Sequence, residues 1–308
     1  MKHTYGNSPT GVMHPPEVVL PTPDHFAVRA QRLQVLSERI QPLGDFLAFM
    51  AHLARAQQVA LERADPAWTP IDEAFVPALE HGMPPLNVQA LRQDIDIHTE
   101  LDAILDALEL HAGEAQRTLL TRLRALPPDE VDLLAEDVLA ASPGDAERRG
   151  MMPLVAAAMQ VAWLRLTQTL PRAPDRPIAE ARALCPCCGS PPVASVIHAD
   201  PKRSGVRYLQ CGLCATQWYL ERSICSVCEQ SGKLGYLSLE SDAGEPSLPA
   251  QAETCGDCQT YLKLVSCDGD AQAEPLADDL ASLALDLLLA EQEEYRRSGF
   301  NPLLIVDE

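Results

Sequence analysis

Cys185-Pro186-Cys187-Cys188, Cys211-Gly212-Leu213-Cys214, Cys225-Ser226-Val227-Cys228 and Cys255-Gly256-Asp257-Cys258 are four Cys-x-x-Cys pairs in the C-terminal half of a chain of 308 residues. Two thiolates separated by two residues can hold one metal ion at the tip of a tight turn. Four such pairs supply the ligands of two tetrahedral four-sulfur sites. The sequence therefore predicts bound metal.

The lengths of the loops between the pairs favour pairing in serial order. The first gap contains 22 residues and the third contains 26, whereas the middle gap contains only 10. The longer gaps have room for a strand or two and a returning turn. We therefore expect two metal sites that are formed in sequence, with the ligands Cys185, Cys188, Cys211 and Cys214 in site one and Cys225, Cys228, Cys255 and Cys258 in site two.

The residues between the pairs are typical of short strands. Arg207-Tyr208-Leu209 precedes Cys211, and Tyr261-Leu262-Lys263-Leu264-Val265 follows Cys258. Gly235-Tyr236-Leu237-Ser238-Leu239 alternates in the same way. Both cysteine units therefore resemble rubredoxin-like or zinc-ribbon modules.

Disulfide bonding and dithiol redox chemistry are the alternatives to metal. The opening residues, from Met1 to Asn7, contain no apolar signal segment, so we expect a cytoplasmic and reducing location, where clustered Cys-x-x-Cys pairs indicate metal or redox chemistry. A thioredoxin-type role needs one such motif at the start of a helix, and four motifs at ribbon spacing fit that role poorly.

Cys187 and Cys267 are left over as spare thiols, and His198 is expected in a loop. Four thiolates suit zinc and a single iron ion equally.

Length and charge narrow the class of protein. A chain of 33.5 kDa with a net charge of -20 has room for two or three domains, and its charge repels phosphate backbones, which disfavours nucleic acid and leaves a protein partner as the expectation. From Asp268 onward the chain has 11 acidic and 2 basic residues. The most apolar stretch, residues 151–170, contains Gln160, Arg165 and Gln168, so a buried helix is expected there and no membrane insertion.

The N-terminal half has the apolar period of helices. We predict about six of them, beginning near Asp24, Gly44, Val88, Leu119, Val131 and Met151, which form an all-α bundle whose core does not depend on metal. Pro171, Pro174 and Pro177 mark the linker that follows. The bundle contains no catalytic motif, and the charged run of residues 94–100 is expected to be solvated. A last amphipathic helix is expected, with leucines from Leu276 to Leu288. Its acidic face is either solvated, or packed over the ribbons or offered to a basic partner.

The cysteine units, together with the flanking segment Ala277-Asp278-Asp279-Leu280-Ala281, resemble the formate dehydrogenase accessory proteins of the FdhE family. The resemblance is close in the C-terminal half and looser in the helical half. It implies a cytoplasmic accessory protein, not an enzyme, that is required for the activity of respiratory formate dehydrogenase and binds its catalytic subunit before export. It also implies rubredoxin-type iron at the cysteine sites, ahead of zinc.

The predicted organisation is multi-domain, with α and β parts. A helical bundle is expected over residues 1–178, a first rubredoxin-like module over 179–221, a second over 222–267, and an acidic C-terminal helix and tail over 268–308. The predicted docking surface for the catalytic subunit comprises the ribbons and the acidic tail. A rubredoxin-like one-electron carrier that acts on the client's redox centre is the alternative function.

Overall fold

A computed structural model describes residues 15–63, 75–142, 146–175, 182–199, 205–240, 248–292 and 294–304. Helices dominate the first half and one mixed sheet the second half. Pro177, one of the three prolines expected to mark the linker, lies outside these ranges, as does the expected boundary between residues 178 and 179. The division of the chain into domains therefore stays a prediction.

The helical half follows the apolar periodicity of the sequence, but the helix predicted from Val88 is split in two and a further short helix precedes it. Eight α-helices are described here, with a short 3₁₀ turn after the first, over the ranges α1 His25–Arg39, α2 Gly44–Arg63, α3 Val76–Glu80, α4 Val88–Leu91, α5 His98–Glu109, α6 Glu114–Arg124, α7 Pro128–Leu139 and α8 Ala146–Gln168. The charged run lies mainly in the turn before α5, where the Asp96 carboxylate accepts a hydrogen bond from the backbone N–H of His98. Glu100, the last residue of the run, is only 2% exposed and lies 3.4 Å from Arg165 of α8, so the expectation of a solvated run is wrong at this residue.

The strands form a single sheet rather than two separate ones. They are β1 Val18–Val19, β2 Pro192–Ile197, β3 Arg207–Cys211, β4 Gln217–Tyr219, β5 Leu234–Leu237, β6 Ala250–Cys255, β7 Thr260–Ser266 and β8 Arg296–Arg297. The order across the sheet is β1-β4-β3-β2-β7-β6-β5, and β8 also pairs with β7. The parallel pairing of β2 with β7, for example Ser195 with Leu264, joins the strands of the two cysteine units.

The apolar core of the helical half continues into the first cysteine unit. One cluster of buried side chains includes Leu105 of α5 and Trp163 of α8 together with Cys185, Cys211 and Trp218. The sequence led us to expect a helical core that is separate from the metal modules. The structure instead places α8 directly against the unit that contains site one.

The C-terminal leucine pattern forms two helices, α9 Pro275–Ala281 and α10 Leu283–Gln292. The break lies at Ser282, whose hydroxyl donates to the carbonyl oxygen of Asp278 at 2.7 Å. The Lys263 ammonium also donates to the carbonyl oxygens of Asp279 and Ser282, at 2.8 and 3.3 Å. Side chains thus satisfy carbonyl groups at the end of α9, where the helix stops. Leu287 and Leu288 were predicted to belong to the apolar stripe. Both are exposed, so the stripe does not include them.

The acidic residues of α9 are packed, not solvated. Asp278 and Asp279 are 1% and 0% exposed. Asp278 accepts a hydrogen bond from Arg32 of α1 at 2.6 Å, and Asp279 pairs with Lys263 and Arg297. Of the two interpretations of this helix, the structure supports packing for these two residues, because each carboxylate has a buried cation beside it.

Candidate metal centres

The eight Cys-x-x-Cys cysteines form two groups of four, in the predicted serial order. Within each group all four sulfur atoms lie within 4.8 Å of one another, and the groups are Cys185, Cys188, Cys211 and Cys214, and Cys225, Cys228, Cys255 and Cys258. In the first group Sγ of Cys185 is 3.5 Å from Sγ of Cys214, and in the second Sγ of Cys228 is 3.6 Å from Sγ of Cys255. Metal–sulfur bonds of about 2.3 Å give a tetrahedron with edges of about 3.8 Å. The four sulfurs of each group therefore fit one ion.

The four turns have the same backbone design. The residue directly after the second cysteine has a positive φ in every turn: 77° at Gly189, 60° at Ala215, 58° at Glu229 and 55° at Gln259. This left-handed residue reverses the chain so that both thiols of a pair point to one side. Only the first turn uses glycine, for which this conformation carries no steric cost.

Backbone and hydroxyl groups lie next to the sulfur atoms. The backbone N–H groups of Leu213 and Cys214 donate to Sγ of Cys211, at 3.3 and 3.4 Å. The hydroxyl oxygen of Thr216 lies 3.2 Å from Sγ of Cys214, and that of Thr260 lies 3.1 Å from Sγ of Cys258. A hydroxyl in this position can donate to a thiolate and so stabilise its charge.

Sequence reasoning overlooked these two threonines. The signal was present, because both returning turns read Cys-Gly-x-Cys-x-Thr, once from Cys211 to Thr216 and once from Cys255 to Thr260. The repeat places a hydroxyl at the same offset in both sites.

The two groups differ sharply in burial. The four cysteines of site one are 0–1% exposed, whereas Cys228 and Cys258 of site two are only half-buried. Around site one the helical half binds the turns directly: the backbone N–H groups of Leu86 and Val88 donate to the carbonyl oxygens of Cys187 and Cys188, at 2.8 and 2.9 Å. The Gln160 amide donates to the carbonyl oxygen of Gly212 at 2.6 Å. Site one is thus an interior site and site two a surface site.

The thiols of each group resist joint ionisation without a cation. Burial raises the pKa of Cys185 and Cys211, and it raises the pKa of Cys225 to about 12. Burial opposes ionisation of Cys214 as well, but hydrogen bonds from neighbouring thiols outweigh it and lower the pKa of Cys214. Four thiolates at these distances need a positive ion between them, and a divalent cation supplies that charge.

The remaining sequence-predicted residues lie outside both groups. Cys187 is fully buried beside site one, where its thiol interacts with Cys185 and Cys214. Sγ of Cys267 lies 3.9 Å from the carbonyl oxygen of Ala273. A ring nitrogen of His198 is 2.8 Å from Oε1 of Gln217. Neither spare cysteine nor His198 completes a four-ligand set in the described part of the chain.

Three family models match the chain one after another. They are described as FdhE, N-terminal, over residues 15–180, FdhE, central domain, over residues 184–222, and FdhE, C-terminal domain, over residues 224–304. The chain belongs to the FdhE family. The family resemblance predicted from the cysteine units is therefore confirmed.

Individual relatives match over nearly the whole chain. A protein of Pseudomonas aeruginosa named "Protein FdhE homolog" is 42% identical over 287 residues, which is 92% of this chain and 91% of the relative. "Protein FdhE" of Salmonella dublin is 36% identical over 299 residues, or 97% of this chain and 94% of the relative. The crystal structure of the FdhE protein from Pseudomonas aeruginosa superposes with a TM-score of 0.81 at 39% identity, and the match covers 94% of this chain and 99% of that one. The predicted fold class was an all-α bundle followed by two rubredoxin-like modules and a C-terminal helix. It is confirmed as a helical region followed by a sheet-containing region with two four-cysteine clusters and a C-terminal helix, as in the FdhE structure.

Membrane insertion was not expected from the sequence. Among the residues described, none of the helices is both long and apolar enough to span a bilayer.

Proposed function

We propose that this FdhE family member is an accessory factor, not an enzyme, that binds the catalytic subunit of formate dehydrogenase in the cytoplasm before export. The observation that carries the proposal is the match of FdhE family models from residue 15 to residue 304, together with two four-cysteine groups. Sites with four thiolates are closed, so an ion in them has no open position for a substrate. A closed site of this kind supports a factor that binds another protein rather than an enzyme that converts a substrate at the metal.

The eight cysteines are proposed to hold two metal ions, one in each group. The distances between sulfurs, the converging turns and the hydroxyl groups at Thr216 and Thr260 support this assignment. Iron is proposed ahead of zinc on the family resemblance, since four thiolates in a tetrahedron accept either ion. Metal analysis and the absorption spectrum of protein purified without oxygen distinguish the two ions and count the sites.

The second cysteine unit is the proposed contact region for the catalytic subunit. Strand β5 lies at an edge of the sheet, and large apolar side chains are exposed on it and on the adjacent turn: Val227 is 45% exposed, Tyr236 52% and Leu237 40%. Edge strands and exposed apolar side chains are common protein contacts. Asp278 and Asp279 are buried and are not part of this surface. The contact predicted for the acidic tail therefore does not involve these two residues.

The test combines co-purification and activity. We expect Tyr236→Ser combined with Leu237→Ser to reduce co-purification of the formate dehydrogenase catalytic subunit, and to reduce formate oxidation in cells that lack the native protein. Leu110→Ser is the matched control, because Leu110 is 83% exposed on the helical half. Undiminished binding by the double variant, or an equal loss with the control, would contradict this contact region.

One observation favours the alternative of a rubredoxin-like electron carrier. Cys228 and Cys258 reach the surface, and an iron ion with partly exposed ligands can exchange an electron with a partner. Reversible one-electron reduction of the iron-loaded protein, lost in Cys228→Ser, would support this role. If the purified protein contained only zinc and still supported full formate oxidation in cells, the electron-carrier role would be excluded.

A further inference from the structure

Arg207 connects the two cysteine units at the centre of the sheet. It lies on β3, the strand that ends in Cys211 of site one, and its side chain is 1% exposed. Its guanidinium, however, points toward the unit that contains site two. A fully buried guanidinium is costly unless its donors are satisfied, so the groups around it show what it holds in place.

The groups that it binds flank both halves of site two. Nη2 of Arg207 lies 2.7 Å from Oε1 of Glu253, which is two residues before Cys255 on β6. Nη1 donates to the carbonyl oxygen of Ile224, directly before Cys225, at 2.9 Å. Nε and Nη2 also donate to the Ser195 hydroxyl on β2, at 3.1 and 3.0 Å. One planar group thus fixes the start of the first turn of site two relative to the strand that delivers its second turn.

These contacts matter more at site two than they would at site one. The turns of site one are bound by the helical half through Leu86, Val88 and Gln160. Among the contacts described, no hydrogen bond from the N-terminal helical half reaches the turns of site two, and two of its cysteines are half-buried. The relative position of its two turns therefore depends on the sheet and on Arg207.

We propose that Arg207 is the positioning residue of the second four-cysteine site, holding its two turns at the separation that one metal ion requires. This inference rests on the proposed metal binding. Residues that orient metal ligands without touching the ion typically change metal affinity by about 10–100-fold when they are replaced. A lysine does not reproduce the planar fork that reaches Glu253 and the Ile224 carbonyl together.

The experiment titrates Co²⁺ into the full-length metal-free protein under anaerobic conditions and follows the thiolate-to-cobalt absorption. Cys228→Ser identifies the part of the signal that belongs to site two. We expect Arg207→Gln to weaken that part by about 10–100-fold and to leave the site-one part unchanged. If Arg207→Gln does not fold, Arg207→Lys, which keeps a cation opposite Glu253, is expected to fold and to show the same selective weakening.

Arg32→Gln is the matched control. Arg32 is also 1% exposed in its side chain and is paired with a buried carboxylate, Asp278, but it contacts neither site. We expect this variant to melt at a lower temperature with both cobalt signals intact. Unchanged site-two affinity in a folded Arg207 variant, or equal weakening in Arg32→Gln, would overturn the inference. A wild-type protein without any thiolate-to-cobalt absorption would overturn the proposed metal binding, and the inference with it.

Discussion

The replacement of one cysteine in each site should have very different consequences for the helical half. In Cys188→Ser the interior site loses its ion, whereas in Cys228→Ser the surface site does. Structural zinc ions in small modules contribute about 10–16 kcal/mol to folding. That value is as large as the whole stability of an ordinary domain, about 5–15 kcal/mol. Each unit should therefore lose its order when its ion is lost.

The difference lies in what each unit holds. Disorder at site one frees three buried groups of the helical half, the N–H groups of Leu86 and Val88 and the amide of Gln160. Each of these hydrogen bonds contributes about 0.5–1.5 kcal/mol net when water replaces the lost partner, or roughly 1.5–4.5 kcal/mol for the three. The shared apolar core is opened as well. Site two lies beside a small cluster of its own, with Ala252, Tyr261 and Leu285.

The assay follows helix unfolding by circular dichroism at about 222 nm, with hydrogen exchange of the α8 amides as a second measurement. A loss of 3 kcal/mol alone lowers the melting temperature by about 6–12 °C in a unit of about 150–250 residues, such as the helical half. We expect at least that decrease in Cys188→Ser, with loss of protection in α8, and a decrease of a few degrees at most in Cys228→Ser. Wild-type helix melting and α8 protection in a metal-depleted Cys188→Ser protein would refute the reasoning.

Four further outcomes are expected. Cys211→Ser combined with Cys225→Ser should remove both ions by metal analysis, and loss of only one would mean that the two residues share a site. Thr260→Val should weaken metal binding at site two by about tenfold in competition with a chelator, since the hydroxyl next to Cys258 is lost; an unchanged affinity would contradict that role. Burial and the nearby Arg29 lower the pKa of His25 to about 4, so the unfolded chain binds the proton more readily than the folded chain. The free energy of unfolding should therefore fall by up to about 3 kcal/mol from pH 6.5 to pH 4. Urea unfolding of His25→Gln should lack this part of the decrease. Lys263→Met should cost about 3–5 kcal/mol in urea unfolding, because it removes a cation from the buried Asp279, and a near-neutral effect would mean that Arg297 alone suffices.

Local patterns in the sequence predict much of this structure. The gap lengths predicted the grouping of the cysteines, because each of the two long gaps has room for a pair of strands, β2 with β3 and β5 with β6, that returns the chain to the same site. Proline and apolar spacing predicted the start of α1 near Asp24 and of α2 near Gly44. Those features depend on neighbours in the chain, which a single sequence displays directly.

Long-range pairings were beyond the same reasoning. The parallel contact of β2 with β7 and the burial of Asp279 depend on residues far away in the sequence. An acidic run is expected to be solvated unless the cations that pair with it are known. The sequence around Arg32 and Lys263 does not indicate that these residues pair with Asp278 and Asp279. The asymmetry between the two sites has the same origin, since the helical residues around site one lie in the other half of the chain.

The buried carboxylates at the C-terminal end bear on how the protein responds to ionic strength. Dissolved salt screens exposed charges over about 8–10 Å at ordinary concentrations, but it acts much less on pairs that water does not reach. Arg29 with Glu274, Arg32 with Asp278 and Lys263 with Asp279 are pairs of this kind, with side chains at most 5% exposed. Concentrated salt should therefore leave the C-terminal segment in place. If salt separates the protein from its partner during purification, the contacts that broke are those between the two surfaces and not these buried pairs.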